Sequence, residues 1–266
     1  MSLASSARLS RQSSESSIHI QNESSPLLSR ALKSVDNVLS HQGKAIDYLV
    51  KQYRNSQWSQ NQLKTSLKIL NNSLNDGGKV VISGMGKSFK IANKTVATLN
   101  SLSIHSAALH PSEALHGDLG IIREEHNDSL VLISASGNSP ELTTLLQYVP
   151  NSIPVVLVTC TKISNLSKHP KVKSLLYADL PTNLSEKNLY GLSAPTISTT
   201  LCLTLLDAVS IALSELHVND LNARRKRFGE RHPGGAIGLN YLQGFQNSKS
   251  NRQHQQQQQQ HQQHPI

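Results

Sequence analysis

From about Pro26 the apolar residues recur at three- and four-residue steps. Leu32, Val35, Val38, Leu39, Ile46, Leu49 and Val50 follow the spacing of a helix face. A second helical stretch, from about Ser59 to Leu74, sets Leu63, Leu67, Leu70 and Leu74 on one side and stops at Asn75-Asp76-Gly77-Gly78. Then the period changes. Lys79-Val80-Val81-Ile82-Ser83 is a short continuous apolar run ending at a glycine turn, as expected of a strand buried on both faces. Helix signals resume at Ser88 and continue to about Ser101. Further strand-like runs follow near residues 104–109, 129–134, 154–159 and, more weakly, 174–178, several of them separated by helix-length segments. This alternation predicts an α/β fold: a parallel sheet with right-handed crossovers and helices on both faces.

The stretch from Pro195 to about His217 is long enough to cross a bilayer. Asp207 near its middle, and its many serines and threonines, predict instead a buried or subunit-interface helix, and no membrane association. Residues 1–25 are rich in serine, and residues 246–266 end in a glutamine/histidine tract from His254 to His264. Neither end has the apolar content to offset its ordering entropy, so both are expected to be disordered, leaving 26–245 as one folded domain. Arg8 and Arg11 among serines faintly resemble a transit peptide, but Glu15 and Glu23 count against one.

Aromatic residues make up only 4% of the chain, so the core must be built from Leu, Ile, Val and Ala. The formal charge is +9, part of it carried by Arg8, Arg11, Lys249 and Arg252 in the two ends. The cluster Arg224-Arg225-Lys226-Arg227 reads as a solvated face or subunit contact. No helix-turn-helix, zinc finger or aromatic-rich binding sheet accompanies it, so no nucleic-acid partner is expected. Cys160 and Cys202 are far apart in the chain with no pairing pattern, which points to a reducing compartment and a cytoplasmic location. Cys202 lies in an apolar run and reads as a core residue.

Three segments carry candidate chemistry. Gly84-Met85-Gly86-Lys87-Ser88 follows a strand and opens a helix, where backbone N–H groups favour an anion. A P-loop would need glycine at position 81, which is Val81, and a dinucleotide fingerprint would need one where Phe89 stands. Ser134-Ala135-Ser136-Gly137-Asn138-Ser139-Pro140-Glu141 is a second strand-to-helix turn, whose hydroxyls and N–H groups can wrap a phosphate without positive charge. Ser139 is equally placed as an N-cap. Both turns fall at strand carboxyl ends, where open α/β sheets bind ligands. The loop His110-Pro111-Ser112-Glu113-Ala114-Leu115-His116-Gly117-Asp118 holds two histidines and two carboxylates. Its spacing fits no standard zinc site, so no metal is expected; it reads as a short capped helix or as acid–base machinery.

The succession GMGKS, HPSEALHGDLG, SASGNSPE, an acidic residue ahead of GLSAPTISTT, and RHPGGAIG resembles the sugar isomerase (SIS) domain, and within it most closely the D-arabinose 5-phosphate isomerase family. The resemblance spans roughly Leu32 to Leu242. It implies a doubly wound, three-layer αβα sandwich on a five-stranded parallel sheet, a phosphosugar ligand, no cofactor, and a homo-oligomer (a tetramer is one form this could take) in which a neighbouring subunit completes the site. Carried over residue by residue, it implies a catalytic set of Lys87, His116, Glu141, Glu186 and His232. Ser134, Ser136, Gly137 and Ser139 would cradle the phosphate, with Ser88 and Thr196 as further substrate contacts. Departures are the extra residue in Gly191-Leu192-Ser193-Ala194-Pro195-Thr196, Asn138 where an acidic residue is usual, and Phe89 where glycine is usual. Many relatives continue into a pair of regulatory CBS modules. Here a glutamine-rich stretch follows, and no CBS pair is expected.

The implied reaction is aldose–ketose isomerisation of a phosphorylated pentose through a cis-enediol, such as arabinose 5-phosphate to ribulose 5-phosphate. Glu141 is favoured as the base, with Glu186 the alternative. His232 or His116 would open the ring or shuttle the hydroxyl proton, and Lys87 would stabilise the enediolate or hold the phosphate. The competing class is a non-catalytic phosphosugar sensor or regulator, which need not keep an acid–base set.

Overall fold

The computed structural model describes residues 25–236 and 238–241. Apart from Ser25, the Ser-rich and Gln-rich ends expected to be disordered lie outside the described residues. Helices α1 (Pro26–Asn55) and α2 (Gln57–Asn75) lead into β1 (Val80–Gly84), α3 (Lys87–Ser101) and β2 (Ser106–Leu109). The short α4 (Pro111–Ala114), β3 (Ser129–Ile133), α5 (Pro140–Tyr148), β4 (Val155–Thr159) and β5 (Val172–Tyr177) follow. Then come α6 (Glu186–Tyr190), α7 (Ile197–His217) and α8 (Leu221–Glu230). The five strands form one sheet in the order β2-β1-β3-β4-β5, every pair parallel.

The central strands are apolar without alternation because both of their faces are covered. Val80, Ile82, Val131, Ile133, Val156 and Val158 pack with Leu70, Ala92, Leu99, Leu201 and Leu205 of α2, α3 and α7. The residues between them, Val81, Leu130, Leu132, Val155 and Leu157, pack with Leu142, Leu145 and Leu146 of α5. Since side chains alternate across a strand, these two sets are the two faces of one sheet, giving three αβα layers. Among the described residues α7 is the one helix long and apolar enough to cross a membrane; here its Ile197, Leu201, Leu205, Val209 and Leu213 belong to the first of these core layers, while Ile211 and Leu216 are exposed. Its Asp207 pairs with Lys94 of α3.

β2 starts later than the apolar run suggested. Ser103 takes a left-handed conformation (φ 62°), and the Ile104 N–H donates back to the Leu99 carbonyl at 2.9 Å, so the residues before β2 close the end of α3. Both sheet edges are finished by side-chain amides. On β2, Asn100 donates to the Ser106 carbonyl (3.3 Å) and accepts from its N–H (3.2 Å). On β5, Gln62 accepts from the Leu175 N–H at 2.8 Å, while Gln52 and Tyr53 both donate to the Tyr177 carbonyl at 2.9 Å.

At the amino edge of the sheet, Asp128 is 1% exposed and Lys79 5%. Asp128 Oδ2 lies 2.5 Å from the Lys79 ammonium. The same carboxylate accepts from the Lys79 N–H and the Arg123 N–H, both at 2.9 Å. Burial alone would push its pKa up. The Lys79 ammonium and the two backbone N–H groups outweigh that and hold the carboxyl below its ordinary value.

Pro26–Leu39 belongs to a unit of its own, helical throughout, with Leu27, Leu28, Leu32, Val35 and Leu39 exposed. On α8, Arg225, Lys226 and Arg227 are exposed, with Lys226 3.7 Å from Glu230, while Arg224 is half-buried and lies 3.1 Å from Glu215.

Candidate functional site

The strand order reverses between β1 and β3, and their following helices leave on opposite faces: α3 with one core layer, α5 with the other. A crevice at the carboxyl ends of such neighbouring strands is where open α/β sheets take ligands. Gly84 and Ile133 are register partners, so the turns that follow them start one strand spacing apart, about 4.8 Å. Those turns are the two singled out from the sequence.

The serine turn is tightly built. Ser134 Oγ and Ser139 Oγ are 2.9 Å apart, and Ser134 Oγ also accepts from the Gly137 N–H at 3.1 Å. Ser139 occupies the N-cap position of α5 but makes no side-chain cap bond; its hydroxyl is turned onto Ser134. The sequence had allowed either role. With Pro140 lacking an N–H, the first-turn N–H groups of Glu141 and Leu142 are left without a side-chain cap. Ser136 is exposed at the turn, and its hydroxyl accepts from the Asn138 N–H at 3.3 Å. No charged residue lies between Ser134 and Pro140, because Asn138 stands where an acid would otherwise sit. Its amide donates to the Ser136 carbonyl (3.0 Å) and accepts from the Asn165 N–H (3.0 Å).

A second loop holds this turn in place, and the sequence reading missed it. β4 ends at Thr159, and Cys160 and Thr161 follow. Both threonine hydroxyls and the Cys160 N–H donate to the Ala135 carbonyl, at 3.2, 3.1 and 3.0 Å. Further on, the Leu166 N–H donates to the Gly137 carbonyl at 3.0 Å. The available signal was the pair of hydroxyls at another strand carboxyl end. Gly137 sits at φ 66°, and a Cβ there would fall 2.1 Å from Ser164 Oγ and 2.6 Å from Ser164 Cβ. Gly137→Ala should therefore combine left-handed strain with overpacking, a loss of about 2–4 kcal/mol in urea unfolding.

The glycine turn brings Lys87 to the first position of α3, exposed, after Gly86 at φ 58°. Ser88 is half-buried on the same turn. Phe89, the departure from the usual glycine, stacks edge-on against His110 at 4.8 Å and 90°. His110 caps α4 by accepting from the Ser112 N–H at Nδ1 (3.3 Å), so the capped-helix reading of this loop holds for His110. His116 lies exposed between α4 and the 3-10 turn Asp118–Ile121, beyond the carboxyl end of β2. α4 packs beside α5, on whose first turn Glu141 lies half-buried. The Glu141 carboxylate has no hydrogen-bond or ion-pair partner among the described residues.

Glu186 is different. It is 8% exposed, and its Oε1 accepts from the Ser198 N–H (2.7 Å), the Ser198 hydroxyl (2.6 Å) and the Thr196 N–H (3.3 Å). Burial works against its charge, but these donors prevail and hold the carboxyl below the usual range. Glu186 thus serves as a carboxylate cap on the amino end of α7, whose N-cap residue is Thr196. The two cysteines, distant in sequence, approach to 3.9 Å between thiols behind this corner, both free. The adjacent Cys202 thiol and burial keep Cys160 protonated, which argues against it as a nucleophile.

His232 is not brought to the others within one subunit. Its Nδ1 lies 2.7 Å from the Phe228 carbonyl, and its neighbour Arg231 donates to Ser103 Oγ at 3.2 Å, past the far end of α3. α3 has 15 residues, so it carries that end about 22 Å from Lys87, to the amino edge of the sheet. The structure places Lys87, Ser88, His116, the serine turn, Glu141, Glu186 and Thr196 at the carboxyl edge, and His232 at the opposite one.

The SIS domain family matches residues 73–212. Arabinose 5-phosphate isomerase KpsF of Escherichia coli is 34% identical over 212 residues, covering 79% of this chain and 59% of that protein. Arabinose 5-phosphate isomerase KdsD of Francisella tularensis is 38% identical over 176 residues, covering 65% of this chain and 49% of that protein. The chain thus spans about half to three fifths of the length of these curated relatives. Among solved structures, an E. coli CFT073 protein in complex with arabinose 5-phosphate matches with a TM-score of 0.63 at 28% identity, covering 77% of this chain and 98% of that one. The family match takes in more than half of the chain, including the whole sheet and all of the strand-end turns that line the crevice: the chain belongs to the SIS domain family.

Proposed function

We propose that the protein is a phosphosugar aldose–ketose isomerase, converting D-arabinose 5-phosphate to D-ribulose 5-phosphate. The observation that carries this reading is the serine turn at the β1/β3 switch point. Its hydroxyls and the uncapped first turn of α5 offer donors to a phosphate, and the unpartnered carboxylate of Glu141 stands on that same first turn. The named activities of KpsF and KdsD support the choice of sugar.

On this reading Ser134, Ser136, Ser139 and the backbone at Gly137 hold the phosphate, with Ser88 and Thr196 as flanking contacts. Glu141 removes the proton from C2 of the open-chain aldose, and the electron pair moves to make the enediolate with charge on O1. Lys87 offsets that charge. The O2 proton passes by way of His116 to O1, and Glu141 returns its proton to C1, leaving the ketone at C2. Glu186, already saturated on one oxygen, orients the amino end of α7. Since His232 lies at the amino edge, its participation requires a neighbouring subunit, hence a homo-oligomer.

The test is to incubate the full chain with arabinose 5-phosphate in D2O and follow ribulose 5-phosphate by NMR. The expected result is turnover, with deuterium entering C1 of the product. Saturable binding of arabinose 5-phosphate and other pentose phosphates without turnover would overturn the enzyme reading in favour of a sensor.

A further inference from the structure

Beyond the serine turn, at the β5 side of the carboxyl edge, lies a hollow of about 440 Å³ that the mechanism above does not use. Small-molecule sites commonly measure about 300–1,000 Å³ and combine an apolar, aromatic floor with a few fixed polar groups. This one has both. Trp58, the only tryptophan in the chain, meets Tyr177 edge-on at 5.7 Å and 78°. The Lys162 ammonium lies 4.1 Å over the Trp58 ring. Lys51 also lines the hollow, and its ammonium has no ion-pair partner among the described residues. Asp179, the carboxylate in the lining, accepts from the hydroxyls of Tyr177 (2.7 Å) and Tyr48 (3.1 Å). Both tyrosines are held in the protonated form, Tyr177 chiefly by burial and Tyr48 chiefly by its bond to Asp179.

These features select for one kind of ligand. A flat indole face attracts a planar π-system or a cation, and here a lysine occupies it. Two ammonium groups against one carboxylate, itself engaged by two hydroxyls, leave the hollow receptive to an anion. Asp179 uses two of its lone-pair sites on the tyrosines and keeps others for an amino group. We propose that this hollow binds a purine nucleoside monophosphate. Its amino-bearing base takes the Trp58 face within reach of Asp179. Lys162 swings off the ring to join Lys51 on the phosphate. The occupant of the Trp58 face thus changes from ammonium to base, and the displaced ammonium gains a charged partner. The hollow shares with the serine turn only the loop after β4, whose Thr161 braces Ala135 while the next residue, Lys162, faces Trp58.

With a single tryptophan, tryptophan emission reports on this hollow alone. Titrating the full chain with adenosine monophosphate should give a saturable change in Trp58 emission at sub-millimolar to millimolar concentration. Adenosine alone and inorganic phosphate alone should each need at least tenfold more. The Lys51→Ala/Lys162→Ala variant should raise the half-saturation point at least tenfold, while arabinose 5-phosphate turnover measured without nucleotide stays unchanged. A Ser134→Ala/Ser136→Ala variant, altered in the serine turn, should keep the fluorescence response, which separates this site from the phosphosugar crevice. No saturable change up to about 5 mM nucleotide overturns the proposal. So does a response that survives loss of both lysines, or one that disappears with the two serines.

Discussion

Glu141→Gln is expected to lower arabinose 5-phosphate turnover by about 10²–10⁴-fold, the usual contribution of a positioned general base. KM should change by less than about threefold, because a glutamine at this position keeps the α5 first turn and removes only the ionisable group. The measurement is steady-state kinetics of ribulose 5-phosphate formation, with deuterium exchange at C2 as the direct readout of proton abstraction. The decisive comparison is with Glu186→Gln. Glu186 is ionised but locked, its Oε1 taking three donors from the start of α7. The same donors that keep it charged lower its affinity for a proton. Glu141 carries no such restraint among the described residues. If Glu186→Gln abolishes C2 exchange while Glu141→Gln leaves it intact, the two carboxylates have exchanged roles and the proposed base is wrong. A stability loss in Glu186→Gln with exchange retained would fit its part as the cap of α7.

The largest effect on stability is expected at Asp128. Asp128→Ala removes the counter-ion of an ammonium that is 7% exposed and strips the acceptor from the Lys79 and Arg123 N–H groups. Breaking a buried pair from one side costs about 3–5 kcal/mol, a large part of the ~5–15 kcal/mol that holds an ordinary domain together. Lys79→Met should cost less, since the carboxylate would keep both backbone donors. Urea midpoints at pH 7 would measure the two; equal losses would mean that the backbone bonds contribute nothing. The pH dependence follows in sign. The folded-state pKa of Asp128 is depressed, so its contribution is fully present above the unfolded value, about 3.9. It is lost as pH falls through the lower folded value. In Asp128→Ala this part of the acid sensitivity should vanish.

Much of the architecture was legible in the apolar runs because the sheet is buried on both faces. A strand such as Val80–Gly84 then needs no alternation, and its glycine turn marks its end. Strand starts were less legible. Ile104 is as apolar as a strand residue, but its N–H is committed to the end of α3, a choice set by the left-handed Ser103 rather than by hydrophobicity. The serine turn could be read from its composition; the hydroxyl direction of Ser139 could not, because capping and turning onto Ser134 demand the same residue. The loop from Thr159 to Leu166 was missed because its main role is exercised through donors to backbone carbonyls, which any turn sequence could offer. The separation of His232 from the other polar residues was also invisible. Motif order along a chain carries no record of which end of a helix each motif lands on.

The amides that finish the two edge strands have a consequence for how copies of this chain can meet. Asn100 takes up both the N–H and the carbonyl of Ser106 on one side of the sheet, and Gln52 and Gln62 do comparable work on the other. A foreign strand laid along either margin would have to displace an amide already seated there. Polymerisation by strand addition, the common hazard of an open sheet, is thereby opposed at these positions. The oligomer proposed above would then be joined through helices and loops rather than along these strand margins.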